Sequence, residues 1–150
     1  MDLILWRHAD AEDGVPDLER RLTAKGRKQA EHVARWLKQR LPARYQLLAS
    51  PAARAQETAD ALGEKVKTVA ELAPGASPRQ IVEATGWPDK EGTVVVVGHQ
   101  PDLGRTVAWL VAGSHASWSV KKGALWWIAS RTREEGNQIV VRAVVSPDLL

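Results

Sequence analysis

Short apolar runs alternate with amphipathic stretches along the chain, which predicts alternating strands and helices. The run Leu3-Ile4-Leu5-Trp6 and the run from Thr93 to Val97 contain no polar alternation, as expected for strands that are buried on both faces. Further strands are predicted at 45–49, 66–69, 124–130 and 138–145. Glu135-Gly136-Asn137 predicts a hairpin turn between the last two strands.

Helices are predicted between these strands, at about 24–41, 51–62, 78–85 and 102–111. Thr23, Ser50 and Ser77 are the predicted N-caps of the first three, and Pro51 and Pro78 occupy first helical positions. Strand–helix alternation followed by a hairpin predicts a single α/β domain over residues 1–150. We expect a three-layer α/β/α sandwich with a mixed, mostly parallel sheet. Residues 70–92 are too few for a separate cap domain.

Composition excludes several functional classes. The chain has no cysteine, so it cannot form disulfides, thiolate metal sites or a cysteine-phosphatase nucleophile. No apolar run reaches the length of a membrane span and no signal-peptide pattern is present, so we expect a cytoplasmic protein without a membrane partner. The net charge of +3 is spread along the chain, which favours a solvated surface over a nucleic-acid interface but is compatible with an anionic substrate.

Basic side chains follow directly where three predicted strands end. Arg7 and His8 end the first strand, Arg54 follows the second, and His99 ends the fourth. Ligand sites of open α/β sheets form at the carboxyl ends of strands, so these residues can converge on one cleft. Such a cluster repels itself unless an anion is bound, and arginine matches phosphate oxygens in bidentate geometry. The pattern therefore predicts a phosphate site.

Three motifs resemble those of the histidine phosphatase superfamily. Leu5-Trp6-Arg7-His8-Ala9 is similar to its Arg-His-Gly signature, the segment from Ser50 to Ala59 to its second motif, and Val97-Gly98-His99 to its late histidine motif. Within the superfamily, the chain most resembles the small SixA-type phosphohistidine phosphatases. It shares their short length and three of their segments: Arg21-Leu22-Thr23, Glu71-Leu72-Ala73-Pro74 and Ser146-Pro147. The resemblance implies a phosphoglycerate mutase-like fold and phosphatase activity.

The resemblance also implies roles for individual residues. His8 is the expected nucleophile, with its other ring nitrogen held by a backbone carbonyl. Arg7, Arg54 and His99 are expected to bind the phosphoryl oxygens, with Arg20 as a further contact. No metal or other cofactor is expected.

The general acid and the residue after His8 are less determined. Glu71 resembles the position of the acid in related mutases and is preferred, and Asp17 is the alternative. Ala9 stands where the family has glycine, so a positive φ at this position would strain the loop. We expect activity to survive, since alanine is the smallest replacement.

The expected substrate is a phosphohistidine on a protein such as a histidine-phosphotransfer domain, because a site without a lid admits a bulky substrate. Two alternatives remain at this point. One is an enzyme for small phosphorylated metabolites, a phosphatase or a mutase, and the other is a non-catalytic phosphate-binding protein.

Overall fold

The two fully apolar runs form neighbouring strands at the centre of a six-stranded sheet in the computed structural model, which describes residues 1–150. The strands are β1 (Asp2–Arg7), β2 (Gln46–Ala49), β3 (Lys67–Thr68), β4 (Thr93–Gly98), β5 (Leu125–Arg133) and β6 (Gly136–Val145). Their order is β3-β2-β4-β1-β5-β6. β1 to β4 run parallel to one another. β5 pairs antiparallel with β1, and β6 pairs antiparallel with β5. The predicted mixed, mostly parallel sheet is confirmed.

Helices cover both faces of this sheet. They are α1 (Ala24–Lys38), α2 (Ala53–Asp60), α3 (Pro78–Thr85) and α4 (Asp102–Ala112). Successive side chains of a strand point to opposite faces. Ile4 and Trp6 of β1 therefore pack in one core with α1 and α2, while Leu3 and Leu5 pack in a second core with α3 and α4. The predicted three layers are confirmed.

The N-cap predictions hold for two helices and fail for a third. The Thr23 hydroxyl accepts the Gly26 N–H, and Ser77 forms a capping box with Gln80. Ser50 is not a cap, because the chain turns through residues 51–52 before α2 begins at Ala53. The hydroxyl of Ser50 instead accepts the N–H of Ala52 inside that turn.

The strand boundaries differ from the prediction at two places. β3 is shorter than predicted, with only Lys67 and Thr68 paired to β2 at the exposed edge of the sheet. The β5–β6 hairpin is longer, and its turn lies at residues 134–135. Backbone pairing extends there through polar residues, which an apolar pattern cannot reveal.

The connection from β3 to β4 contains only a 3₁₀ turn (Ala70–Leu72) and α3. It forms no cap over the sheet, so the carboxyl ends of β1, β2 and β4 stay open. No helix in the structure is both long enough and apolar enough to cross a membrane.

Candidate active site

A cavity of about 460 Å³ lies at the carboxyl ends of the parallel strands. It is lined by Arg7, His8, Ala11, Asp13, Arg20, Arg54, Pro74, Gly75, His99, Gln100, Pro101, Asp102, Arg105 and Lys122. The convergence predicted for the strand-end residues is therefore what the structure shows. Arg7 pairs with Gly98 in the β1–β4 register, which brings the ends of these two strands side by side. The rings of His8 and His99 lie 5.2 Å apart.

One ring nitrogen of His8 is fixed by the backbone. Nδ1 lies 2.7 Å from the carbonyl oxygen of Ala9, and a carbonyl only accepts, so Nδ1 donates and Nε2 keeps its lone pair. Burial lowers the pKa of His8 to about 4, assisted by the charges of Arg54 and Arg7 against the opposing hydrogen bond to Ala9. His8 is therefore a neutral imidazole at neutral pH. Its Nε2 is a potential nucleophile.

Ala9 fits this loop without the strain that a positive φ would cause. No residue other than glycine has a positive φ in the structure. The N–H of Ala9 donates to the hydroxyl of Thr58 at 3.0 Å, and that hydroxyl donates to the carbonyl of Arg54 at 2.7 Å. The methyl group packs in a small cluster with Leu22. The loop after His8 is thus tied to α2 and accommodates alanine.

Arg54 is held in place by the segment after His8. Its side chain is buried in the first turn of α2, and its Nη1 donates to the backbone carbonyl of Asp17 at 2.8 Å. Its Nη2 donates to the carboxylate of the same residue at 3.1 Å. The hydrogen bond from Arg54 and the nearby charge of Arg20 hold the pKa of Asp17 below its usual value. Asp17 is therefore an ionised partner of two arginines.

The remaining cations approach the cavity from different segments. Arg7 donates to the carbonyl of Val120 at 2.8 Å and has no carboxylate partner. Arg20 donates to Asp17 at 3.0 Å and to the carbonyl of Glu12, and it lines the cavity as predicted. Lys122 pairs with Asp10 at 2.8 Å.

His99 is buried and oriented by Ser50. Its Nε2 lies 2.7 Å from the hydroxyl of Ser50, whose oxygen already accepts from Ala52. Either group can supply the proton of this hydrogen bond, because the hydroxyl oxygen has a second lone pair. When Ser50 donates to Nε2, the proton of His99 lies on Nδ1. Burial, followed by the charge of the neighbouring His8, lowers the pKa of His99 to about 3. His99 is thus a neutral imidazole at neutral pH.

Three buried nitrogen atoms at this site have no hydrogen-bond partner: Arg7 Nε, Arg54 Nε and His99 Nδ1. A buried polar group without a partner is costly, so these nitrogen atoms favour a bound group that accepts hydrogen bonds. The cavity holds five cationic side chains and the carboxyl groups of Asp13 and Asp102. An anion with several acceptor oxygens, such as phosphate, complements this arrangement.

The structure corrects the prediction for Glu71. This residue lies in the 3₁₀ turn beyond the edge strand β3, is exposed, and lines a separate cavity with Lys67 and Glu83. It does not border the His8 cavity, so it is not placed to protonate a leaving group there. The chain turns away from the sheet here because Leu72 is buried in the core beneath α3.

Asp102 and Arg105 line the cavity but were not singled out from the sequence. Both lie on α4, directly after the His99 segment. Asp102 is buried, and its carboxylate accepts the N–H of Gly75 at 2.9 Å, which ties α4 to the loop before α3. Burial raises the pKa of Asp102. Their spacing from His99, three and six residues further along the chain, does not by itself indicate a place in the cavity.

The low pKa values of the two buried histidines predict acid sensitivity. Below about pH 6.5 the unfolded chain protonates both histidines, whereas the folded protein leaves them neutral down to about pH 4 and 3. Their contribution to stability is therefore complete above pH 6.5 and is lost as the pH falls. We expect the free energy of unfolding to decline from pH 6.5 to 4. Urea titrations across this range measure the slope.

A matched pair of variants isolates the histidine contribution. His8→Asn removes a buried histidine. The slope of unfolding free energy against pH should therefore fall by the amount that corresponds to about one proton. His32→Asn removes an exposed histidine of α1 and should leave the slope unchanged. An unchanged slope in His8→Asn would show that His8 titrates normally in the folded protein.

Comparison with known proteins agrees with this site. The family model of the histidine phosphatase superfamily (branch 1) matches residues 3–91. The chain belongs to the histidine phosphatase superfamily, and it is a phosphatase with a SixA-like, phosphoglycerate mutase-like fold. An uncharacterized protein of Picosynechococcus is 37% identical over 120 residues, covering 69% of each chain.

Solved structures extend the comparison over the whole chain. The protein histidine phosphatase SixA complexed with tungstate aligns with a TM-score of 0.82 and 25% identity, covering 99% of both chains. A phosphoserine phosphatase mutant from Entamoeba histolytica aligns with a TM-score of 0.70 and 17% identity, covering 99% of this chain and 98% of that one. The second likeness shows the shared fold alone.

Proposed function

We propose that this protein hydrolyses phosphohistidine on a protein, through a phosphohistidine intermediate formed on His8 and without a metal ion. The observation that supports this best is a neutral His8 with a free Nε2 among arginines, in a cavity without a cap. The likeness to the protein histidine phosphatase SixA supports the substrate class.

The first step transfers the phosphoryl group to His8. Nε2 attacks phosphorus in line, and the P–N bond of the substrate breaks with its electron pair going to the leaving imidazole. Arg7, Arg54 and the Nδ1–H of His99 bind the phosphoryl oxygens and stabilise the charge that develops there. In the second step water attacks the phosphorus, and the P–Nε2 bond breaks with its electron pair returning to His8. The water gives up a proton to solvent, phosphate is released and neutral His8 is restored.

The leaving group explains why the cavity can work without a dedicated acid. A phosphorylated imidazole can take a proton from solvent on its second ring nitrogen and then leave as neutral imidazole. An alkyl phosphate must instead release an alkoxide, which requires a proton delivered to the leaving oxygen. Glu71 lies elsewhere, Asp17 is an ionised arginine partner, and Asp13 is exposed. Asp102 is engaged by the Gly75 N–H.

Direct comparison of substrates tests the proposal. A phosphorylated histidine-phosphotransfer domain, 3-phosphoglycerate and p-nitrophenyl phosphate are each incubated with the protein in the presence of EDTA. We expect the highest kcat/KM for the phosphorylated domain. His32→Ala, which removes an exposed histidine, is the control for activity that a variant loses during purification rather than through its substitution. A clear preference for 3-phosphoglycerate would make the protein a metabolite phosphatase, and loss of activity in EDTA would exclude the metal-free mechanism.

A small-molecule phosphomonoesterase is the second candidate, and Asp102 is the observation that favours it. It is the one buried carboxyl group of the cavity, and burial raises its pKa. An acid of this kind could protonate an ester oxygen.

We expect Asp102 to anchor the 73–76 loop rather than to act as an acid. Asp102→Asn keeps an acceptor oxygen for the Gly75 N–H and should retain activity within about threefold. Asp102→Ala removes the hydrogen bond that ties this loop to α4 and should lose about tenfold. Values of kcat/KM on p-nitrophenyl phosphate distinguish the roles. Equal, large losses in both variants would identify Asp102 as the acid.

A further inference from the structure

A second cavity of about 370 Å³ opens beside the first, between the start of α3 and the face and end of α4. It is lined by Ser77, Pro78, Arg79, Arg105, Trp109, Ser114 and His115. Arg105 lines both cavities, so it joins this space to the one that contains His8. The mechanism proposed above uses none of the other lining residues.

The lining of this second cavity is cationic. Its lining contains two arginines and a histidine but no carboxyl group. Neither Arg79 nor Arg105 belongs to any ion pair of the structure. Both arginines are exposed, and Trp109 between them is half-buried, so a ligand can reach the guanidinium groups and an indole surface. A carboxylate next to an apolar group complements such a surface.

The size and position of the second cavity favour a large ligand. The first cavity alone, at about 460 Å³, lies within the range that holds a complete small molecule. A small phosphorylated metabolite can therefore fit entirely in the first cavity and does not need the second. A polypeptide that presents a phosphorylated side chain to His8 would extend over the rim and reach it.

We propose that the second cavity binds a carboxylate-bearing segment of the protein substrate, next to the phosphorylated residue. This inference rests on the proposed function, because the ligand of the second cavity is part of the protein substrate. It assigns Arg79, Arg105 and Trp109 to substrate recognition. Arg105 connects recognition to the site of reaction, because it borders both cavities. An acidic surface on the partner would then increase affinity through charge pairing at the rim.

Binding of unphosphorylated peptides tests the inference without turnover. One peptide contains Glu-Glu-Leu and its matched partner contains Gln-Gln-Leu. Two-dimensional amide NMR of the full chain follows both titrations at low ionic strength, where charge pairing is least screened. We expect the Glu peptide to shift the resonances of Arg79 and His115 and the Gln peptide to leave them unchanged. Arg79→Glu should weaken binding of the Glu peptide by about tenfold or more.

Arg44→Glu is the matched control, because Arg44 is an exposed arginine before the amino end of β2 and lines neither cavity. It should bind the Glu peptide like the wild type. Equal binding of both peptides, or an unchanged affinity in Arg79→Glu, would overturn the inference. So would shifts of Arg79 and His115 caused by 3-phosphoglycerate but not by the Glu peptide, since the cavity would then serve a small diacid. Phosphohistidine turnover is measured separately, so failure of the peptide to bind leaves the proposed function standing.

Discussion

Replacing His8 with alanine is expected to abolish turnover, with a loss in kcat of at least about a thousandfold. No other side chain of the cavity combines a free, neutral nitrogen with a position at the end of β1. His99 is also neutral, but its Nε2 is engaged by Ser50. The measurement is single-turnover release of phosphate from a phosphorylated histidine-phosphotransfer domain.

The same variant must be shown to remain folded. The side chain of His8 is hydrogen bonded only to the carbonyl of the next residue, so its removal leaves the backbone pairing between β1 and its neighbours intact. We expect His8→Ala to unfold cooperatively and still to bind vanadate at the arginines. His32→Ala should retain full activity, because this histidine is exposed on α1. Substantial turnover by folded His8→Ala would eliminate it as the nucleophile.

Removing the guanidinium of Arg54 is expected to have the second largest effect. Arg54→Ala should lower kcat by about 10²–10³-fold, or roughly 3–4 kcal/mol, as for the loss of one preorganised charge-stabilising donor. Arg54 is 4% exposed and fixed by two hydrogen bonds to Asp17, so its orientation costs little during the reaction. The measurement is kcat on p-nitrophenyl phosphate together with the inhibition constant of vanadate.

Two further variants separate charge from geometry at this position. Arg54→Lys keeps the charge but cannot form the fork with Asp17, so we expect it to recover only part of the loss. Arg44→Ala removes an exposed arginine that precedes the amino end of β2 and does not line the cavity, so it should be neutral. A loss of less than about threefold in Arg54→Ala would mean that Arg54 does not contact the phosphoryl group, since even one hydrogen bond to a charged group exceeds this.

The sequence was sufficient to predict the fold and the centre of the site because both depend on strong local signals. Four consecutive valines placed β4 in the middle of the sheet, and its register with β1 then brought Arg7 beside Gly98 and His99. Arg54 was predictable for the same reason, since its helix begins just after the parallel strand β2.

Other features depend on how the chain turns after a strand ends, which local patterns do not specify. Ser50 was predicted to cap α2. It instead forms a hydrogen bond with His99, which follows the neighbouring strand β4. Glu71 was predicted as the acid from its resemblance to a motif, but the chain turns away at the edge of the sheet. The effect of Ala9 could not be decided either, because it depends on φ in a loop whose contacts come from Thr58.

The sequence also did not predict the residues that complete the cavity from other segments of the chain. Arg105 and Asp102 face it because of the orientation of α4, and Lys122 reaches it from the loop before β5. In the sequence each of them is an ordinary charged residue. Their functional positions follow only from long-range packing.

Trapping the phosphorylated protein tests the central claim most directly. The wild type is mixed with a phosphorylated histidine-phosphotransfer domain, quenched in alkali within the first turnover, and digested for peptide mass spectrometry under conditions that preserve phosphohistidine. We predict one acid-labile phosphoryl group, located on His8 and absent from His8→Ala. A phosphoryl group on any other residue, or turnover with no phosphorylated protein at any time point, would contradict the proposed mechanism.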